Sequence, residues 1–152
     1  MRSINNNAPV KFSKTILIDA SPSTVWAVLT AIEKWPAWNP EISEPKVNGP
    51  LQQNTTFNWK SGGGEIHSIL HTVDPFKYFG WTGESSGLYA IHNWTLTEIN
   101  GQTNLTSDES IEGLNAEKFK TEFNKNIEKG TQKWLELLKA ESEKAFQKIH
   151  IL

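Results

Sequence analysis

The residues best placed to do chemistry are His92 and Glu109. They flank Asn100-Gly101, the strongest short signal for a two-residue β-hairpin. In such a hairpin Ile99 faces Gln102. Counting back pair by pair sets Leu96 opposite Leu105, Trp94 opposite Ser107 and His92 opposite Glu109. Directly opposed side chains have Cβ atoms about 4.5–5.5 Å apart. An imidazole and a carboxylate at that range can satisfy each other, hold the polar end of a ligand, or act as general acid and base. The first two roles need nothing more and are the favoured reading. The third also needs a cavity shaped for a substrate. His92 and Glu109 are therefore the catalytic candidates.

Other chemistry is scarce. His67 and His71 are four residues apart in a strand, about 13 Å between Cα atoms, too far to share one ion. The chain has no cysteine, which excludes disulfides and thiolate metal sites. Gly62-Gly63-Gly64 lacks the following helix and Lys-Ser/Thr of a phosphate cradle. Neither a metal nor another cofactor is expected.

The elements that must position the pair are legible from pattern. Phe12 to Ala20 reads as a strand. Ser21-Pro22 starts a helix to Leu29, with Ser21 as N-cap. Thr30 to Glu33 fits a capping box for a second short helix, which Pro36 ends. Trp35-Pro36-Ala37-Trp38-Asn39-Pro40 is a stiff aromatic turn. Strands follow at Ile42 to Val47 and at Thr55 to Lys60, where Thr55, Phe57 and Trp59 share one side. Glu65 to Asp74 is a strand whose buried face is ambiguous. Tyr78 to Thr82 is another, and Gly83 to Gly87 reads as a polar loop. Leu88 to Ile99 turns Leu88, Ala90, His92, Trp94 and Leu96 inward, and Asn93, Thr95 and Thr97 to solvent. Gln102 to Ile111 returns with Leu105, Ser107, Glu109 and Ile111 inward. Asn115 is the expected N-cap of a long helix to about Gln147. Its apolar stripe runs through Ala116, Phe119, Phe123, Ile127, Gly130 or Thr131, Trp134 and Leu138. The Lys and Glu of its other faces read as solvated surface.

The 152 residues make one domain, long enough to bury a core unaided. The division is a flexible N-terminus at 1–11 and a single domain at 12–148. Lys plus Arg is 15 against 17 for Asp plus Glu, which gives no electrostatic footprint for nucleic acid. No apolar run approaches a membrane span. Met1 to Pro9 lacks the apolar centre of a secretory signal, so a cytoplasmic protein is expected. Seven Trp and seven Phe are many for this length; such rings fill cores and also line pockets for flat or greasy ligands.

Several local signatures then line up. Ile18-Asp19-Ala20-Ser21-Pro22 is followed by Val25-Trp26, then by Trp35 and Trp38-Asn39-Pro40. Val73-Asp74-Pro75 precedes Trp81, His92-Asn93-Trp94 precedes Asn100-Gly101, and Glu109-Ser110 and Gly113 lead into the final helix. Over about residues 12 to 142 the chain resembles the START-like (SRPBCC) superfamily, close to the polyketide cyclase/dehydrase and lipid-transport family. The resemblance implies an α+β helix-grip fold of order β-α-α-β6-α. In it a seven-stranded curved antiparallel sheet wraps around the long C-terminal helix. It also implies a cavity between sheet and helix for lipids, sterols or polyketides. Some members are aromatases or cyclases.

One helix about 10 Å wide cannot cover so broad a curved sheet, and an empty apolar gap is costly. An apolar small-molecule partner is therefore expected. The expected wall is Phe57, Trp59, Trp81, Trp94, Phe119, Phe123 and Ile127, with His92 and Glu109 as its polar spot and Trp38 at the mouth. Trp134, Leu137 and Leu138 would plug one end, and Trp26 reads as structural. A noncatalytic binder is the first reading, a cyclase or dehydratase using His92 and Glu109 the second, and a filled-core interaction domain the third.

Overall fold

The structure, a computed structural model, describes residues 1–113, 116 and 120–151, the side chains of 120–124, 150 and 151 excepted. One seven-stranded antiparallel sheet runs in the order β1-β7-β6-β5-β4-β3-β2. Its strands are β1 (Val10–Ile18), β2 (Ile42–Val47), β3 (Thr56–Ser61), β4 (Gly64–Asp74), β5 (Tyr78–Ser85), β6 (Leu88–Ile99) and β7 (Gln102–Glu112). A helix at Pro22–Thr30 and a 3-10 helix at Ile32–Ala37 link β1 to β2, and a 32-residue C-terminal helix covers Lys120–Ile151. This is the helix-grip architecture.

Local chemistry explains most boundaries. Ser21 caps the first helix by accepting from the Thr24 N–H at 3.4 Å, with Pro22 in the first turn. The expected capping box is absent. The Thr30 hydroxyl instead donates to Trp26 O at 2.8 Å, and Glu33 Oε2 accepts from Val47 N–H at 3.4 Å. The second short helix is accordingly 3-10, and it carries Pro36 within it. Asn100 and Gly101 both have positive φ, as a tight hairpin demands. The register that follows pairs Ile99 with Gln102, Trp94 with Ser107 and His92 with Glu109, as expected.

Three features depart from expectation. The loop expected at 83–87 is a hairpin turn of only Ser86 and Gly87, both at positive φ, because β5 continues to Ser85. In β4 the register slips between Leu70 and Thr72, opposite Gly80 and Trp81. Before the slip Ser68 and Leu70 are buried; after it Val73 joins the core beside Phe79. A bulge that swaps faces defeats any single assignment by alternation. Finally, Asn93 is buried rather than solvent-facing. Residues at the start of the chain lie on that outer face: Asn93 Nδ2 donates to Arg2 O at 2.6 Å, and Asn5 N–H to Ser110 Oγ at 3.0 Å. Asn5 Nδ2 also donates to Glu112 Oε2 at 2.7 Å.

The core is aromatic. Trp35 lies 5.9 Å from Phe57, 5.5 Å from Trp59 and Trp81, and 5.3 Å from Trp134, between ring centroids. Its indole N–H donates to Leu29 O at 2.9 Å. Trp26 meets Phe79 edge-on at 5.6 Å. Most of these pairs are edge-to-face, the geometry the ring quadrupoles favour. Leu135 and Leu138 of the C-terminal helix complete this cluster, both fully buried. The expected stripe named Leu138 but passed over Leu135. No helix among the described residues is long and apolar enough to cross a membrane.

Candidate functional site

Among the described residues the buried apolar side chains fall into two clusters. A smaller cluster of Val10, Ile111 and Ala116, with Leu88, Ala90 and Ile127 against it, sits apart from the aromatic core. Between the two is a cavity of about 500 Å³, bounded by residues of both clusters and by the 126–134 stretch of the C-terminal helix. That volume is ordinary for a small-molecule site, about 300–1,000 Å³. Trp59, Ile66, Trp81 and Trp134 wall it on the aromatic side, and Leu88, Ile111 and Ile127 on the other.

The polar spot in this wall is His92 and Glu109. Pairing across β6 and β7 brings His92 Nδ1 to 3.2 Å from Glu109 Oε2, and both residues line the cavity. The other ring nitrogen, Nε2, is 2.7 Å from the hydroxyl of Ser107, which is fully buried. A carboxylate only accepts, so the neutral ring carries its proton on Nδ1 and Ser107 O–H donates to Nε2. Rings also clamp the imidazole: Trp94 stacks on it at 4.7 Å and Trp81 is tilted against it at 4.8 Å. Both nitrogens of His92 are thus engaged, and two indoles pack against its ring. Glu109 is different. It is the less buried of the pair, and among the described residues its Oε1 has no hydrogen-bond partner. Of the pair, the free acceptor is therefore the carboxylate rather than the imidazole.

Of the expected wall residues, Trp59, Trp81, His92, Glu109 and Ile127 line the cavity together. Phe57 and Trp94 do not; both are fully buried behind it, Trp94 supporting His92 and Phe57 packed edge-on to Trp35 and Trp81. Trp38 is displaced from the mouth. It borders a separate groove with Val28, Ala31, Ala145 and Ile149, because the 3-10 helix turns Trp35 inward and Trp38 outward toward the end of the C-terminal helix. Phe119, the side chain of Phe123 and the cap at Asn115 lie outside the described residues. Trp134, expected as a plug, belongs to the core and also lines the cavity. Ser107 was not expected to matter, although its diagonal position to His92 in the same register was available as a signal. His67 and His71 have separate partners, Asn58 Oδ1 at 2.7 Å and Thr72 Oγ1 at 2.8 Å.

Comparison with known proteins agrees with this fold. The family described as polyketide cyclase/dehydrase and lipid transport matches residues 9–143, nearly the whole chain. The chain belongs to that family. A search of curated proteins finds no match to the sequence. Solved structures of the same fold include a hypothetical protein from Helicobacter pylori, at 18% identity and a TM-score of 0.82, covering 93% of this chain and 97% of that one. The Zhui aromatase/cyclase of Streptomyces sp. R1128 superposes with a TM-score of 0.77 at 13% identity, over 88% of this chain and 93% of that one. A START superfamily protein from Mycobacterium smegmatis gives 0.66 at 16% identity, over 91% and 98%. At such identities the likeness is one of fold.

Proposed function

We propose that this polyketide cyclase/dehydrase and lipid-transport family member binds an apolar or aromatic small molecule that carries a hydroxyl or similar hydrogen-bond donor. Its rings or chain lie between Trp59 and Trp81 on one side and Leu88, Ile111 and Ile127 on the other. Its donor reaches Glu109. The observation that carries this reading is the Glu109 carboxylate oxygen left without a partner among the described residues, on a cavity wall that also carries Trp59, Trp81, Leu88, Ile111 and Ile127. An unpaired charge beside apolar surface is costly, and a ligand donor relieves that cost. The hollow weighs against a solidly filled interaction domain.

The test uses two ligands that differ by one hydroxyl. 2-Naphthol and naphthalene are titrated by quenching of tryptophan fluorescence, since Trp59 and Trp81 face the cavity. The expected result is a preference of about tenfold or more for 2-naphthol, the range of a hydrogen bond to a charged group. Glu109→Leu should abolish that preference and keep naphthalene binding. Equal affinities in the unaltered protein would reject the role of Glu109; no binding of either would reject the cavity as a ligand site.

The Ser107–His92–Glu109 chain favours a second reading, an enzyme of the cyclase or dehydratase kind. In it Glu109 moves the proton, because it is the member open to the cavity. His92 and Ser107 are then positioning residues.

A further inference from the structure

In the sequence the lysines of the C-terminal helix read as solvated surface. In the structure Lys125, Lys129 and Lys133 follow one another at four-residue intervals, which stacks like charges along one side of the helix. Among the described residues the nearest acidic side chains are engaged elsewhere. Glu128 is paired with Lys14 at 3.2 Å, and Glu136 accepts from Gln132 at 3.1 Å. Among the described residues Lys129 and Lys133 form no ion pair, whereas Lys139 further along pairs with Glu143. Lys129 and Lys133 are also exposed and border the cavity, so they form one lip of its mouth. Glu41, beside Gly62, stands on the other lip.

We infer that the guest is an amphipathic anion, with its apolar body inside the cavity and its acidic group held at the mouth by Lys129 and Lys133. The claim rests on the cavity being a ligand site. An acidic group cannot follow the apolar body inward, since Glu109 already places a negative charge there and burial of an unpaired anion is costly. At the lip it stays hydrated and meets two free ammonium groups, while Glu41 repels it from the opposite side. The two ends of the guest are thereby distinguished: a hydrogen-bond donor inward, an anion outward. Carboxylate, sulfonate and phosphate all satisfy this chemistry.

Two dyes isolate the charge. 1-Anilinonaphthalene-8-sulfonate and N-phenyl-1-naphthylamine share an aromatic body and an N–H and differ by the sulfonate. The protein should bind the sulfonate about three- to tenfold more tightly, the range for exposed charge pairs. The margin should shrink in 0.5 M NaCl, where exposed charges are screened. Lys129→Gln/Lys133→Gln should erase it and leave the neutral dye unaffected. Equal affinities in the unaltered protein, or a margin that survives the double substitution, would overturn the inference. If neither dye binds, the ligand-site reading itself fails. Dodecanoate and phosphatidylglycerol vesicles, with phosphatidylcholine vesicles as the neutral control, separate a free acid from an anionic lipid. Displacement of the sulfonate dye by either supports the inference, and displacement by neither overturns it.

Discussion

Ser107 Oγ lies 2.7 Å from His92 Nε2, at the opposite nitrogen from Glu109. A fully buried hydroxyl thereby fixes which cavity group is free to act. Ser107→Ala leaves that nitrogen without a partner in a buried place. The expected loss of stability is about 1–3 kcal/mol by urea denaturation. Naphthalene affinity should hardly change, because the apolar walls are intact. A stability loss below experimental error would mean that Ser107 does not hold the ring.

The enzymatic reading makes a separate prediction. A carboxylate that moves protons should speed exchange of the α-hydrogens of an enolisable aromatic ketone such as 2-tetralone in deuterium oxide, followed by proton NMR. Glu109→Gln keeps the shape and removes the base, so exchange should fall at least about tenfold. Exchange no faster than in buffer alone would leave binding as the only supported activity.

On the outer face His71 sits over Gly80, next to Asn93. Burial holds its imidazole below the ordinary pKa of 6.5, and the charges of Arg2 and the N-terminal amine add to this, while the Asn93 side chain offsets part of it. The unfolded chain therefore takes up this proton first. Stability is undiminished above pH 6.5 and declines as pH falls below it toward the depressed folded value. The melting temperature should drop between pH 7.5 and 5.5, and His71→Gln should drop less. Identical pH profiles would remove His71 as the cause.

Gly80 itself is a steric requirement. A methyl group there would overlap His71 Cε1 and come within 2.8 Å of Asn93 Oδ1. Gly80→Ala should destabilise the fold by about 1–3 kcal/mol, as overpacking does. Combined with His71→Ala, which removes the closest overlap and leaves the Asn93 contact, the penalty should shrink in a double-mutant cycle.

Two tryptophans should differ in their truncation cost. Trp35 is fully enclosed by rings, so Trp35→Ala should lose about 3–5 kcal/mol. Trp59 also borders the cavity, so Trp59→Ala enlarges an existing hollow and removes fewer contacts. Its cost should be the smaller by at least about 1 kcal/mol. Urea midpoints for the two variants decide this.

Much of the site was legible before any coordinates. The Asn100-Gly101 turn set the β6–β7 register, and alternation then faced His92, Trp94, Ser107 and Glu109 inward. What remained hidden depended on contacts between distant segments. The bulge in β4 switches faces between Leu70 and Thr72, and no residue type there announces it. Asn93 is covered by residues near the start of the chain, which strand periodicity cannot register. Alternation also could not rank inward rings by depth. Phe57 and Trp59 share one face of β3 and both pack against Trp35, yet of the two Trp59 lines the cavity. Trp38 shows the same limit: two tryptophans three residues apart part company where the short helix, expected to end at Pro36, runs on as 3-10 to Ala37.

The division of the interior into two apolar clusters has a thermodynamic consequence. An occupant would touch both and become the keystone between the tryptophan-rich cluster and the smaller one around Val10, Leu88 and Ile111. Loading should therefore tie the melting of the two clusters together, sharpening the transition as well as raising its midpoint. The slowest-exchanging amides would then extend along β7 from Leu105 to Ile111.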